Sequence, residues 1–186
     1  MKTKLIYLLI VLVVLEIITG IIYLKKKPQE GLETAKVTQK VPGPKLSLSP
    51  ESGNFKVNQP IEVKVLIDTK GKSLTGADSV INYNPEEIEI VGEPTTGKIF
   101  PYYLYAKVKK EKKIVDISAT ITDPSQPAFT GIGEFASFTV KPLKTGKINL
   151  TFEFIPGKTN ESNLSEKGTS LDVLTEVTNA TFNVTP

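Results

Sequence analysis

Four glutamates, Glu86, Glu87, Glu89 and Glu93, crowd into eight residues. Paired carboxylates are the machinery of glycoside hydrolysis, where one protonates the leaving group and the other serves as base or nucleophile. These four flank an Asn84-Pro85 turn and a short strand, a setting of solvated edge charge. The rest of the catalytic inventory is thin. The chain has no histidine and no cysteine, which removes a His-based triad, a thiolate nucleophile and zinc sites of the usual kinds. Asp123-Pro-Ser-Gln and Asn160-Glu-Ser-Asn are polar loops. With one carboxylate each, they fall short of the Asp-x-Asp-x-Asp-Gly density of a calcium loop. The expectation is a non-enzyme without metal or cofactor.

Binding is the chemistry that remains. Phe100-Pro-Tyr-Tyr-Leu-Tyr105 gathers four aromatic rings. Aromatic rings grip sugar faces, so Tyr102, Tyr103 and Tyr105 are candidate carbohydrate contacts. In an alternating strand Tyr103 and Tyr105 share one face and Leu104 takes the other. Aromatics are also favoured in strands for packing alone, and no tryptophan accompanies them.

Charge narrows the partner. The formal net charge is +3, but it is unevenly placed. Residues 1–45 hold 8 Lys against 3 Glu, whereas residues 46–186 hold 15 Lys against 17 Asp and Glu. The basic excess sits at the N-terminal end, and the remainder is close to neutral. Arginine, the usual bidentate reader of guanine and phosphate, is absent, so a nucleic-acid partner is not expected.

Leu5 to Leu24 is an apolar run interrupted by Glu16, Thr19 and Gly20, with Lys2 and Lys4 before it and Lys25, Lys26 and Lys27 after it. Twenty residues at the helical rise span roughly 30 Å, a bilayer core. No small-residue cleavage signal follows, which favours an uncleaved anchor over a signal peptide. Lysines at both ends weaken the positive-inside argument. The four-residue N-terminal tail places itself inside and the domain outside, an extracytoplasmic module on a single-pass anchor. Glu16 reads as a tolerated acid within that span. Residues 25–44, rich in Lys, Gln, Glu, Thr and Pro, read as a flexible linker.

From Lys45 onward the sequence is strand after strand. Ile61, Val63, Val65 and Ile67 alternate with Glu62, Lys64 and Asp68, and Val115, Ile117, Ala119 and Ile121 alternate with Asp116, Ser118 and Thr120. Such alternation marks half-buried strands. Further strands are expected at 46–48, 77–83, 88–91, 103–108, 135–140, 148–155 and 177–184, nine in all. Turns fall at Lys70-Gly71, Asn84-Pro85, Thr96-Gly97, Thr145-Gly146 and Pro156-Gly157. Short, regular spacing with Gly and Pro turns predicts an all-β jelly-roll sandwich of the immunoglobulin-like class over 45–186. Ser165 to Leu174 is the one soluble stretch expected to hold a turn or two of helix. Four Asn-x-Ser/Thr sequons, at Asn160, Asn163, Asn179 and Asn183, matter only in a secreted protein of a glycosylating cell.

The order of the motifs resembles a cohesin domain, the receptor module of cellulosome-type scaffolds. Gly76-Ala-Asp78, the strand Val80 to Asn82, Tyr83-Asn-Pro85 and Ile88-Glu-Ile90 are similar to the family's opening Gly-x-Asp, strand, Tyr-Asp-Pro and Leu-Glu-Ile series. Asn84 departs from the family's Asp. Gly133 to Val140 and Asp172 to Val184 resemble its later strands, so the likeness covers the whole of residues 45–185.

The resemblance implies a module that binds a dockerin-like partner on a flat sheet face, with a role in polysaccharide degradation at the cell surface. Asp78 matches a family position that hydrogen-bonds the partner. If Ala77, Ile81 and Tyr83 face the core, Asp78, Val80 and Asn82 face outward, and Asp116, Ser118 and Thr120 are expected on the neighbouring strand. Alternative readings are a carbohydrate-binding module using Tyr102, Tyr103 or Tyr105, and an envelope assembly or adhesion protein sharing the fold. The scaffold reading expects a face around Asp78 free of aromatics. The carbohydrate reading expects the tyrosines exposed in a row.

Overall fold

The computed structural model describes residues 42–186. The expected membrane span at 5–24, including Glu16, and the linker before residue 42 lie outside the described residues. Among the described residues no helix is long and apolar enough to cross a membrane.

The chain runs through β1 (Lys45–Ser49), β2 (Ser52–Lys56), β3 (Ile61–Asp68), β4 (Leu74–Asn82), β5 (Ile88–Thr96) and β6 (Tyr102–Lys109). A single 3-10 turn, Lys110–Lys112, joins β6 to β7 (Ile114–Thr120). Then come β8 (Ile132–Pro142), β9 (Gly146–Phe152), β10 (Asn163–Glu166), β11 (Glu176–Thr178) and β12 (Ala180–Thr185). They form two sheets of a sandwich. The first has the order β11-β1-β3-β8-β5, and the second β2-β12-β9-β4-β7-β6 with β10 on the free half of β4's edge.

All nine expected strands form. Three short additions raise the number: β2 and β10 are new, and the expected closing strand divides at Asn179 into β11 and β12. Those two halves join different sheets, β11 parallel to β1 and β12 antiparallel to β9. The helical turn expected within Ser165–Leu174 is absent. The segment instead ends β10 and turns through Gly168, with Ser165 bridged to Asp172. Asp172 holds this turn by accepting bonds from the backbone N–H groups of Leu164 and Leu174.

Alternation fixes which face each strand buries. In β3, Ile61, Val63, Val65 and Ile67 are buried, and in β4 Ala77, Ser79 and Ile81 are buried while Asp78, Val80 and Asn82 are partly exposed. Phe135, Phe182, Leu46, Leu48 and Ile117 are among the side chains fully enclosed between the sheets. Removing such surface from water is the main stabilising force. Phe135 sits at an aromatic junction, edge-on to Phe100 at 5.8 Å and stacked with Tyr103 at 5.5 Å. Gly97 closes the sandwich beside it. A Cβ there would fall 2.1 Å from the Glu134 carbonyl oxygen, so only glycine allows this approach to β8.

The fold takes in the end of the linker as well. Pro44 is buried, and its carbonyl accepts bonds from the Thr175 N–H at 3.0 Å and the Thr175 hydroxyl at 3.1 Å. Asn84, in place of the expected aspartate, still caps its turn: its side-chain oxygen accepts the Glu86 N–H at 3.1 Å.

Candidate functional site

The expected polar face lies on the outer surface of the second sheet. β4 and β7 pair antiparallel, with Asp78 opposite Ser118, Val80 opposite Asp116 and Gly76 opposite Thr120. Residues directly opposite on one face of a sheet stand side by side. Asp78, Val80, Asn82, Asp116, Ser118 and Thr120 are therefore one contiguous patch.

Two features of the patch were not expected. Asp116 and Ser118 are buried rather than solvated, at 6% and 7% exposure. The neighbouring strand covers them. Tyr105 lies opposite Ser118 and Lys107 opposite Asp116 in the β6–β7 register. Lys109 forms an ion pair with Asp116, and its ammonium stands 5.0 Å from the centre of the Tyr105 ring. A cation over an aromatic face is attracted by the ring's electron density. The Lys109 ammonium is held above the ordinary lysine range by its hydrogen bond to Asp116. The Tyr105 phenol is pushed up by burial and then by the Asp116 and Asp78 carboxylates nearby.

Asp78 is held from the other side. Its Oδ2 accepts a bond from Asn163 Nδ2 at 2.9 Å. That amide also donates to the carbonyls of Thr159 and Glu161. Ser162 completes the join, accepting the Val80 N–H at 3.0 Å and donating to the Val80 carbonyl at 3.2 Å. The loop 159–163 thus seals β4's edge and fixes the Asp78 carboxylate in position. Asn163 is 5% exposed, so its sequon is closed to any glycosylating enzyme in the folded domain.

The tyrosines divide. A β-bulge between Tyr103 and Tyr105 makes two residues of β6 oppose one step of β7. Tyr103 therefore lies opposite Ala119 and points inward, stacked on Phe135, with its hydroxyl donating to the Phe135 carbonyl at 2.6 Å. Burial pushes its phenol up to about 12. Tyr105 points outward. The expectation that Tyr103 and Tyr105 share a face is corrected, and Tyr103 is not available to a ligand. Tyr102, 52% exposed, lies opposite Thr120, and Leu104 beside it is 54% exposed. Tyr102 and Tyr105 consequently border the Asp78 patch itself. The aromatic-free face expected of a scaffold module and the row of three tyrosines expected of a sugar binder are both absent. A single surface carries Asp78 and two of the three rings.

Sequence reasoning missed Asn163 and Lys109. Nothing local marks Asn163, whose partner is 85 positions away. Lys109 belongs to a visible lysine run, and its position in β6 opposite Ile114 gives it reach to Asp116. Among the described residues no group of three or more Asp, Glu, His or Cys is arranged to hold a metal ion. The glutamates do not converge on a pair either. Glu89 and Glu86 form ion pairs with Lys141 and Lys144, and Glu93 accepts the Val108 N–H at 2.8 Å.

Comparison with known proteins bears on the fold. No curated protein matches the chain. Among solved structures, the third cohesin ScaC of Acetivibrio cellulolyticus, determined in complex with the ScaB dockerin, is similar at 12% identity with a TM-score of 0.63. The match covers 77% of this chain and 99% of that one. A Coh-OlpA–Doc918 cohesin–dockerin complex from Clostridium thermocellum gives 13% identity and a TM-score of 0.60 over 77% of this chain and 100% of that one. A non-cellulosomal cohesin from the archaeon Archaeoglobus fulgidus gives 12% identity and 0.56 over 78% and 93%. At such identities the likeness is one of fold. The cohesin domain family model itself matches residues 44–184, three quarters of the sequence, and the chain belongs to the cohesin domain family.

Proposed function

We propose that this chain is a non-catalytic receptor that binds a dockerin-like module on the outer face of β4, β7 and β6. The observation that carries the reading is the Asp78 patch. It is preformed, with Asp78 clamped by Asn163 and Asp116 by Lys109, and exposed apolar groups lie at its border. A preformed face avoids the cost of ordering side chains on association. Two of the similar solved cohesins were determined with dockerins bound, which supports the same partner class here. The apolar run at 5–24 would tether the module to a membrane, with the domain outside and the partner displayed at the cell surface. A place in polysaccharide degradation follows from that partner class.

A pull-down from the producing cell's own lysate, with residues 42–186 as bait, tests the reading. Asp78→Ala with Asn82→Ala is the control, its fold verified by circular dichroism. A prey retained by the parent and lost by the control is expected. Equal retention by both would sink the assignment of this face.

Tyr102 and Tyr105 support a second reading, direct carbohydrate binding, because both rings flank the same patch. It expects retention on insoluble polysaccharide that Tyr102→Ala and Tyr105→Ala abolish.

A further inference from the structure

We infer that the β6–β7 hairpin, residues 107–113, is a docking element for a carboxylate-rich surface of the partner protein. The inference rests on the binding face proposed above. Five of these seven residues are lysines, against one glutamate. The other residues of 46–186 carry 10 Lys against 16 Asp and Glu, so the hairpin is a positive spot that brings an otherwise acidic domain close to neutral. Lys109 is consumed by Asp116. Among the described residues, Lys107, Lys110, Lys112 and Lys113 are exposed and have no carboxylate within ion-pair distance.

The turn that carries them is built. Lys113 adopts a left-handed conformation (φ 58°), its N–H donates to the Lys110 carbonyl, and its own carbonyl accepts the Tyr83 N–H at 3.0 Å. Four like charges on and beside a fixed turn repel one another, and an external anion relieves that repulsion.

Position selects the anion. The hairpin leaves the sheet where Asn82 pairs with Ile114, so it borders the face proposed for the partner. The chain enters the domain at the other end of β4. There Lys45 pairs with Asp68, and Pro42 to Pro44 share a cleft with Lys70 and Lys72. Nine residues of strand separate the two ends, roughly 27 Å at the extended rise. The hairpin is thus continuous with the face proposed for the partner protein, which favours an acidic surface of that protein as the anion.

The test uses the full chain in neutral detergent micelles and labelled poly-L-glutamate as probe, followed by fluorescence anisotropy. One variant carries Lys107→Gln, Lys110→Gln, Lys112→Gln and Lys113→Gln. A second, of equal net charge, carries the same change at Lys56, Lys147, Lys158 and Lys167, which are exposed and unpaired among the described residues. The hairpin variant should lose about ten-fold in affinity at 50 mM NaCl and about two-fold at 500 mM, because salt screens exposed charges. The second variant should stay within about two-fold of the parent. Equal losses in both variants, or none in either, would overturn the inference. So would loss of probe binding when phosphatidylglycerol is added to the micelles, since the hairpin would then prefer lipid. Against the prey of the pull-down, the hairpin variant should weaken binding and flatten its salt dependence. Unchanged binding there defeats the inference alone, whereas prey kept by the Asp78→Ala, Asn82→Ala control defeats the face assignment.

Discussion

The two sheets present outer faces of opposite character. On the first, charges are matched between neighbouring strands: Lys64 with Glu134 at 2.9 Å, Lys141 with Glu89, and Lys45 with Glu176 at 3.4 Å. Apart from Glu62, that face largely satisfies itself, and its pairs are largely solvated. The second face carries Lys109–Asp116 in the patch and leaves the hairpin lysines unmatched. Within the patch, Asp116 and Ser118 are buried and Asp78 is clamped by Asn163 instead of solvated. A surface whose charges are already answered gains little from a partner, whereas one with fixed, incompletely answered groups offers specificity. The contrast singles out the second face without reference to any relative.

Three substitution sets can break or sharpen that contrast. Asp78→Ala with Asn82→Ala should weaken partner binding by about 100-fold, the scale of a central hot spot. Lys64→Ala with Glu134→Ala on the opposite face should change it less than about two-fold. Isothermal titration of both against the captured partner decides this, and equal losses would dissolve the distinction between the faces.

The second set asks what an ion pair contributes on each face. Lys109→Ala should lower folding stability by about 1–2 kcal/mol, because Asp116 is buried and loses its partner. Lys64→Ala should cost clearly less, since both members of its pair are solvated. Urea unfolding of each single variant measures the difference. A Lys64→Ala loss as large as that of Lys109→Ala would contradict it.

The smallest effect concerns Tyr103 beneath the second face. Tyr103→Phe keeps the stack on Phe135 and removes the hydroxyl bond, at a cost of about 1 kcal/mol near neutral pH. The folded phenol, raised to about 12 from 10.0, contributes fully below pH 10. That contribution declines as pH climbs through 12, because the unfolded chain ionises first. The stability gap between parent and Tyr103→Phe should therefore narrow between pH 10 and 12 in urea titrations. A constant gap would mean the phenol is not buried as described.

Alternation made most of the fold legible, because a half-buried sheet writes its two faces into every second residue. Ile61 to Ile67 and Ala77 to Tyr83 needed no other information. The pattern failed where the backbone left the two-residue repeat. At Leu104 the bulge inserts one residue, so Tyr103 and Tyr105 part company although their spacing says otherwise. At Asn163–Glu166 the strand is four residues long, too short for a period to show. The outward set on β4 and β7 was legible as a face. Its clamps, Asn163 and Lys109, were not, because each is defined by a contact that folding creates between distant segments.

The placement of Pro44 has a mechanical consequence. β1 begins one residue later, paired antiparallel with β3 over five residues and parallel with β11 over three. Were the N-terminal segment anchored and a partner to pull on the domain along the strand axes, the load would fall on these pairings. The β1 hydrogen bonds then bear load together, in shear, and are not unzipped one after another.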